Sequence, residues 1–283
     1  MNINWYPGHM AKSIRMMEES LKLVDVVVEL LDARIPCASK NPDIDRLAKG
    51  KKRVVVLNKA DLADDSQTEA WKKFYSSSGW FVLALDSLSG KGIDRIESAC
   101  RELMKEKIER QMSRGRIFVP IRAMIVGVPN VGKSTLINSY SGKSIAKTAD
   151  RPGVTRGKQW IRLKKDLELL DTPGILWPKI EDNQAAICLA ATGAIQDAIL
   201  DMTGLSLKLI NIIRQFYPGF AGNRYQISEE GTDIEILSRI GKARGFLLKG
   251  AEIDIDRAGI VVLDEFRGGK LGKITLERPK PKD

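Results

Sequence analysis

The length of 283 residues and the net charge of +10 allow one large domain or two ordinary ones and favour an anionic partner. No run of about 18 apolar residues could form a membrane span, and the N-terminus lacks the charged-then-apolar pattern of a signal peptide. The cysteines, Cys37, Cys100 and Cys188, are odd in number and lack metal-ligand spacing, so we expect ordinary thiols of a reducing cytoplasm.

The first two predicted strands are near-continuous apolar runs, Val24–Leu31 and Arg53–Leu57. A helix is predicted between them, over residues 43–49. The first strand ends at Asp32-Ala33-Arg34-Ile35-Pro36, and the second ends at Asn58-Lys59-Ala60-Asp61. Because ligands of parallel sheets bind at the carboxyl ends of the strands, these polar motifs predict a binding site there.

Strands and helices continue to alternate along the chain. A helix over about 66–77 precedes a third predicted strand, Trp80–Leu85, which ends at Asp86-Ser87. One long, highly charged helix is predicted from Gly92 to about Met112. The alternation predicts an α/β fold with a mostly parallel sheet and helices on both faces.

A glycine-rich loop follows the fourth predicted strand, Ile121–Val126. Residues 127–134 read Gly-Val-Pro-Asn-Val-Gly-Lys-Ser and lead into a helix-like stretch, which is the arrangement of a phosphate-binding loop. Its glycines allow backbone N–H groups and the helix N-terminus to point at phosphate. We expect Lys133 to reach the outer phosphates and Ser134 to hold Mg²⁺. The residues expected to contact the nucleotide here are Asn130, Val131, Gly132, Lys133, Ser134 and Thr135.

The last predicted strands, Trp160–Leu163 and Leu167–Leu170, form a hairpin-like pair that ends at Asp171-Thr172-Pro173-Gly174. We expect Asp171 to hold Mg²⁺ through water and the Gly174 N–H to face the γ-phosphate. A plain turn is the simpler interpretation of Pro-Gly, but its position beside a phosphate-binding loop favours the nucleotide site.

Thr155 lies in the most basic part of the chain. It is the best-placed hydroxyl for a second Mg²⁺ contact, whereas the alternative, Thr148, lacks a following strand. The excess positive charge of the chain lies within residues 1–177, and a second basic cluster closes the chain between Arg267 and Lys282. Such patches suit a polyanion, although a solvated surface explains charge alone equally well.

The motif from Asn58 to Asp61 predicts selection of guanine. Asp61 can accept hydrogen bonds from the N1–H and the exocyclic amine of guanine, while Asn58 and Lys59 brace the pocket. Adenine lacks this pair of donors, so discrimination of roughly 10⁴ is expected. An adenine-specific enzyme is therefore disfavoured.

Together these motifs resemble those of the circularly permuted GTPases of the ribosome biogenesis GTPase A family. Ordinary GTPases begin with the phosphate-binding loop, whereas here Asn58–Asp61 and the Asp86-Ser87 region precede it. The opening Trp5-Tyr6-Pro7-Gly8-His9-Met10 and the Asp32–Pro36 element also match that family. The resemblance implies a circularly permuted P-loop GTPase domain with a six-stranded sheet over residues 1–177 and a small all-α domain with a basic tail over 178–283.

The resemblance also implies a function, namely a GTP-hydrolysing assembly factor of the large (50S) ribosomal subunit. It implies a cytoplasmic protein that uses GTP and Mg²⁺, binds pre-ribosomal RNA and ribosomal proteins in the GTP state, and leaves after ribosome-stimulated hydrolysis. We expect a monomer without stable membrane association. The alternative is a GTPase switch whose target is a protein or an acidic membrane surface.

The group that activates water does not follow from the motifs. Ile175 occupies the place of the water-orienting glutamine of Ras-like enzymes, so slow intrinsic turnover is expected. The resemblance implies that His9, the sole histidine, positions or activates water, whereas a lone histidine near a chain end is usually a surface residue. It also implies that Asn130 helps to hold K⁺, whose charge can replace an arginine finger.

The C-terminal part, from about residue 179, is predicted to be helical. Apolar residues at helical spacing occur over Leu205–Phe216, Ile234–Ala243 and Glu252–Phe266, and Thr232 is a candidate N-cap. We interpret these stripes as a bundle core rather than a ligand pocket. The bundle is expected to dock RNA and ribosomal protein, with a basic tail that is disordered until bound.

Overall fold

The computed structural model describes residues 7–141, 159–163, 167–172, 174, 176–177, 180 and 182–280, with the backbone alone described at 7–13, 159, 162–163 and 171. Six strands form one sheet: β1 Val26–Asp32, β2 Lys52–Asn58, β3 Phe81–Ala84, β4 Ile121–Val126, β5 Gln159–Leu163 and β6 Leu167–Asp171. Their spatial order is β3-β2-β1-β4-β6-β5. All neighbours are parallel except β5, which pairs antiparallel with β6. This confirms the predicted six-stranded, mostly parallel sheet.

Among the described helices, α1 precedes the first strand, α2 to α6 lie between strands along the chain, and α7 to α11 come after the last strand. They are α1 Pro7–Leu21, α2 Pro42–Leu47, α3 Asp65–Ser76, α4 Asp94–Leu103, α5 Lys105–Met112, α6 Lys133–Ser141, α7 Asn183–Ala191, α8 Met202–Phe216, α9 Phe220–Tyr225, α10 Asp233–Ala243 and α11 Ile255–Arg267. In the part of the chain that the structure describes, no helix has both the length and the apolar character needed to cross a bilayer.

Both faces of the sheet are buried, which explains why β1 has no polar alternation. Val28 and Leu30 point into one core cluster, whereas Val27 and Leu31 pack into two clusters on the other face. A strand covered on both sides needs apolar residues at every position, since successive side chains alternate between faces. The carboxyl ends of β1 and β2 coincide, with Asp32 opposite Asn58.

The main core is continuous from the sheet into the C-terminal helices. Val54 of β2 belongs to the same apolar cluster as Leu209 of α8 and Val262 of α11. Helices α8, α10 and α11 pack on one another with apolar stripes, which confirms the predicted helical C-terminal region. The division of the chain at residue 177 stays a prediction, because one cluster spans both parts.

Several predicted elements need correction. The helix predicted from Gly92 to Met112 is two helices, because the backbone at Met104 (φ −103°, ψ 8°) leaves the helical conformation. Helices α1, α7 and α9 were not predicted from the sequence. Thr232 is the N-cap of α10 as predicted, and it forms a reciprocal capping box with Glu235.

The prediction of a disordered basic tail is wrong for the residues described, because they pack on the sheet half of the chain. Ile274, Thr275 and Leu276 are buried. The Ile274 N–H donates to the Leu62 carbonyl, and the Leu276 N–H donates to the Arg34 carbonyl. We call residues 273–277, Lys-Ile-Thr-Leu-Glu, the strap; the burial of Ile274, Thr275 and Leu276 supplies what a free basic tail would lack.

Candidate functional site

The sequence-predicted motifs meet at the carboxyl edge of the sheet. Strand β4 lies between β1 and β6 and leads directly into the glycine-rich loop. Met124 lies opposite Leu170, so the end of β6 at Asp171 is beside the start of that loop. The Thr172 hydroxyl donates to the Ile125 carbonyl at 2.6 Å and fastens the end of β6 to β4. Motifs that are far apart in sequence therefore share one edge.

The glycine-rich loop is tightly packed at Gly132. This residue has φ +101°, and a Cβ atom there would lie 2.3 Å from the Asn58 amide nitrogen. A side chain at this position would therefore displace the neighbouring loop as well as strain the backbone. Gly132 is followed at once by α6, so the N-terminus of this helix, with the positive end of its dipole, begins directly after the loop.

Lys133 is 7% exposed and lies inside the curve of its own loop. Its ammonium donates to the carbonyl oxygens of Gly127 at 2.9 Å and Val128 at 2.8 Å. Ser134 and Thr135 follow in the first turn of α6 and are half-buried. A positive charge, a helix N-terminus and two hydroxyls in one turn form a binding site for an anion and its counterion.

Gly174 lies against the same loop. A Cβ atom there would come within 2.8 Å of the Pro129 Cα and 2.9 Å of the Lys133 ammonium nitrogen. Only glycine permits this approach, because the contacts include backbone that cannot rotate away. The structure thus brings the glycine of the Asp171–Gly174 motif to Lys133.

Asn58 joins the base-recognition motif to two other loops. Its amide nitrogen donates to the Val131 carbonyl at 2.7 Å, and its amide oxygen accepts from the Ser87 N–H at 3.1 Å and hydroxyl at 2.7 Å. Ser87 is 2% exposed, and its carbonyl accepts from the Ser139 hydroxyl of α6. These bonds join the end of β2 to the glycine-rich loop and to the Ser87 loop, while the predicted role of Asn58 in bracing a base pocket stays a prediction.

Lys59 extends from the same strand end with φ +59°, a conformation that residues with a side chain seldom adopt. Its ammonium donates to the Asn130 carbonyl at 2.7 Å and lies 3.2 Å from the Asp32 carboxylate. Burial lowers the pKa of Lys59, and the charge of Asp32 opposes this shift. Lys59 therefore spans the base-recognition motif, the glycine-rich loop and the end of β1.

Two carboxylates line the exposed rim of this region. Partial burial raises the pKa of Asp61, and the nearby carboxylate of Asp86 raises it further. Burial also acts on Asp86, but hydrogen bonds from Ser89 and from the Leu88 N–H outweigh it and lower the pKa of Asp86. Asp61 is exposed and, at neutral pH, is an acceptor suited to a ligand that brings N–H donors.

Some predicted site residues cannot be placed. Thr155, and the alternative Thr148, lie outside the described residues. His9 lies in α1 and Asp171 ends β6, but their side chains are outside the description. Their predicted roles stay predictions.

The sequence analysis missed the contacts that hold the motifs from outside. Asn130 was predicted to contact the nucleotide and to help hold K⁺, and its amide nitrogen donates instead to the Gly193 carbonyl at 2.7 Å. Asp32 and Arg34, noted as a family match without a role, form a buried ion pair at 2.8 Å. The position of Asp32 at the end of a strand could have indicated its role, but a contact to the backbone carbonyl of Gly193 has no signature in the sequence.

Comparison with known proteins agrees with this geometry. The family model described as "50S ribosome-binding GTPase" matches residues 122–219. Ribosome biogenesis GTPase A of Bacillus cereus is 49% identical over 99% of this chain and 95% of its own length. The Thermotoga maritima protein of the same name is 34% identical over 98% and 95%.

Solved structures agree as well. A GNP-bound YlqF structure from T. maritima has 29% identity and a TM-score of 0.66, covering 95% of this chain and 99% of its own. A GDP-bound YlqF structure gives the same identity and TM-score, covering 93% and 98%.

Sheet order, motif order and loop contacts define a circularly permuted P-loop GTPase, an enzyme that binds GTP and hydrolyses it to GDP and phosphate. The full-length matches then identify the family. The chain belongs to the ribosome biogenesis GTPase A family.

Proposed function

We propose that this GTPase is an assembly factor of the large ribosomal subunit that binds its precursor in the GTP state and leaves after subunit-stimulated hydrolysis. The full-length similarity to ribosome biogenesis GTPase A proteins supports this proposal, as does the description of the matching family model. The basic clusters of the chain suit ribosomal RNA, because each phosphate neutralised by Lys or Arg releases counterions. In this proposal the protein acts as a monomer in the cytoplasm.

The observation that carries the nucleotide site is the contact between Asn58 and the Val131 carbonyl, which joins the base-recognition motif to the phosphate-binding loop. In the proposed site, Asp61 accepts from guanine N1–H and its exocyclic amine, and Asp86 and Ser87 complete the base side. Lys133 leaves the carbonyls of its own loop for the outer phosphates. Residues 130–135 supply backbone N–H groups to the phosphates, and Gly174 faces the γ-phosphate.

The residues present also suit Mg²⁺, because hydroxyl and carboxylate oxygens are its preferred ligands. Ser134 lies in the first turn of α6 and Asp171 ends β6; with Thr155 they make up the proposed set. Mg²⁺, when bound, would neutralise charge that develops on the phosphates. Ser134, Asp171 and Thr155 would hold it, and Lys133 would offset the remaining negative charge.

GTP hydrolysis with and without purified large subunits tests the proposal. We expect slow turnover alone and a large acceleration with subunits, together with co-sedimentation under a non-hydrolysable GTP analogue and release under GDP. Sedimentation with acidic liposomes instead of subunits would support the alternative membrane target. Equal binding under both nucleotides would contradict the proposed cycle.

Two proposed catalytic contributions have separate tests. His9→Ala should abolish subunit-stimulated hydrolysis while nucleotide affinity is kept, if His9 positions the attacking water. Asn130 as a K⁺ ligand predicts faster hydrolysis in KCl than in NaCl, with the difference lost in Asn130→Ala. Full stimulated activity of H9A, or equal rates in the two salts, would remove the corresponding role.

A further inference from the structure

A closed ring of polar contacts links the nucleotide-binding loops to the C-terminal helices. We call it the polar ring. Its members are Asp32, Arg34, Lys59, Asn130, Gly193 and Arg267, and the backbone from Ala190 to Gly193 connects the contacts of Arg267 with that of Asn130. It is distinct from the contacts that a nucleotide would make, because each described link is between protein groups.

The sheet side of the polar ring is a chain of alternating charges. Arg34 is 1% exposed, and its guanidinium donates to both oxygens of Asp32, at 2.9 and 2.8 Å. Asp32 in turn lies 3.2 Å from the Lys59 ammonium. Burial alone would raise the pKa of Asp32, but Arg34 and Lys59 hold it well below its usual value. Asp32 is therefore ionised and offsets both cations.

The helical side closes the polar ring through Arg267, the last residue of α11. Its guanidinium donates to the carbonyls of Ala190 and Ala191 at the end of α7, each at 3.0 Å, and to Asp197. The α7 end presents the Gly193 carbonyl to Asn130. The remaining guanidinium nitrogen of Arg34 donates to the Arg267 carbonyl at 3.2 Å.

Two members of the polar ring have an unfavourable backbone conformation. Of the residues described, only four other than glycine have positive φ, and two of these are Lys59 at +59° and Asn130 at +56°. Such conformations are unfavourable for residues with a side chain and persist only where surrounding contacts impose them. The Lys59 ammonium binds the Asn130 carbonyl, and the other members of the polar ring hold this pair through Asp32 on one side and Gly193 on the other.

We propose that Asp32, Arg34 and Arg267 are positioning residues of the nucleotide site, through which the C-terminal helices set the geometry of Lys59 and Asn130. Nucleotide affinity and the seating of α7 and α11 are then linked. Because such coupling is reciprocal, a partner that moves these helices weakens nucleotide binding, and bound nucleotide holds the helices in place. This inference rests on GTP binding alone and is independent of the ribosomal target.

A double-mutant cycle tests the proposal through the dissociation rate of fluorescent GDP from the full chain. Arg267→Met and Asn130→Ala should each raise that rate roughly 5- to 10-fold, as expected for loss of one or two hydrogen bonds. The double variant should resemble the single ones, because both interrupt the same connection. Arg224→Met is the matched control, since Arg224 pairs with Glu265 within the helical part. It should change the GDP dissociation rate by no more than about twofold, and in combination with N130A the two effects on that rate should multiply.

Two further measurements guard against loss of folding in the variants. Arg34→Lys keeps a charge beside Asp32 but loses the donor to α11, and it should also speed GDP release. In the wild-type protein, GDP should slow amide exchange at residues 190–193 and at the end of α11. The proposal would be overturned if the effects of R267M and N130A on the GDP dissociation rate multiplied in the double variant, or if GDP left amide exchange in those segments unchanged. Either result would leave the conclusion that the protein hydrolyses GTP as it stands.

Discussion

The phosphate-binding loop and the base-recognition motif lie side by side but are held in different ways. Lys133 is held by carbonyls of its own loop, five and six residues away. Asn58 and Lys59 instead contact carbonyls more than 70 residues away, and Lys59 also depends on Asp32. The position of the Lys133 side chain therefore depends on contacts within its own loop, whereas the positions of Asn58 and Lys59 depend on the completed fold.

The largest expected effect comes from the locally held side. Lys133→Ala should reduce GTP hydrolysis by roughly 10³-fold, because a buried cation positioned for the phosphates is lost. Measurement of turnover, with thermal unfolding as the check that the variant is folded, tests this expectation, and near-normal turnover would contradict the role of Lys133.

A change at the base side should alter specificity instead. Asp61→Asn replaces an acceptor by an amide whose N–H₂ meets the donors of guanine, so GTP affinity should fall about 100-fold. Xanthosine triphosphate, which carries an oxygen where guanine has its amine, should bind better to the variant than to the wild type. Competition titrations with both nucleotides decide this, and an unchanged preference for GTP would remove Asp61 from the base site.

A smaller effect on binding, accompanied by loss of stability, is expected where the two loops meet. Asn58→Ala removes the bonds to Val131 and Ser87 and leaves those groups buried without partners, at a cost of about 2–3 kcal/mol. GDP affinity should fall about tenfold as the loops separate. Ser139→Ala, which removes one bond to the Ser87 carbonyl, is the control and should have a weaker effect in urea unfolding and in GDP titration.

The smallest effect on nucleotide binding is expected at the strap, where Glu277 accepts from the N–H groups of Cys37 and Ala38. Burial raises the pKa of Glu277 from 4.5 to about 7, against the lowering effect of these two bonds. The folded state therefore binds the proton more tightly than the unfolded chain, so stability should fall as pH rises from about 5 to about 8.

The substitution Glu277→Gln removes the titrating carboxyl group. In urea unfolding it should reduce the loss of unfolding free energy with rising pH by up to about 1.4 kcal/mol per pH unit. Glu230→Gln, at an exposed position of the helical part, serves as the control and should keep the wild-type slope. A steeper slope in E277Q than in the wild type would show that the sign assigned to Glu277 is wrong.

The difference between local and long-range positioning also explains what the sequence could predict. Strand order and motif positions followed from apolar runs that end in polar residues, so the edge where Asn58, Lys133 and Gly174 meet was predictable. Local patterns also located most helices. The polar ring was not predictable, because most of its links end on backbone carbonyls, such as those of Arg267 and Gly193, and every residue type has a carbonyl.

The strap was mispredicted for a related reason. The lysines and arginines around it suggested a free basic tail, whereas the buried residues Ile274, Thr275 and Leu276 decide its placement. The average composition of a basic segment does not show a short buried stretch within it, so such a segment can look disordered and still pack. Helix α7 was missed because its apolar residues lie on all sides and give no helical period.

The long reach of the strap has a consequence for biosynthesis. Glu277 binds the N–H of Cys37, which a ribosome translates 240 residues earlier, and Thr275 and Leu276 cover the segment that follows β1. During translation the segment after β1 and the base-recognition motif are therefore synthesised first, and they lack the contacts of the strap until the end of the chain has been added. The contacts of the strap with this segment, and the stability that they add to the fold, should therefore form only after residues 274–277 have been synthesised.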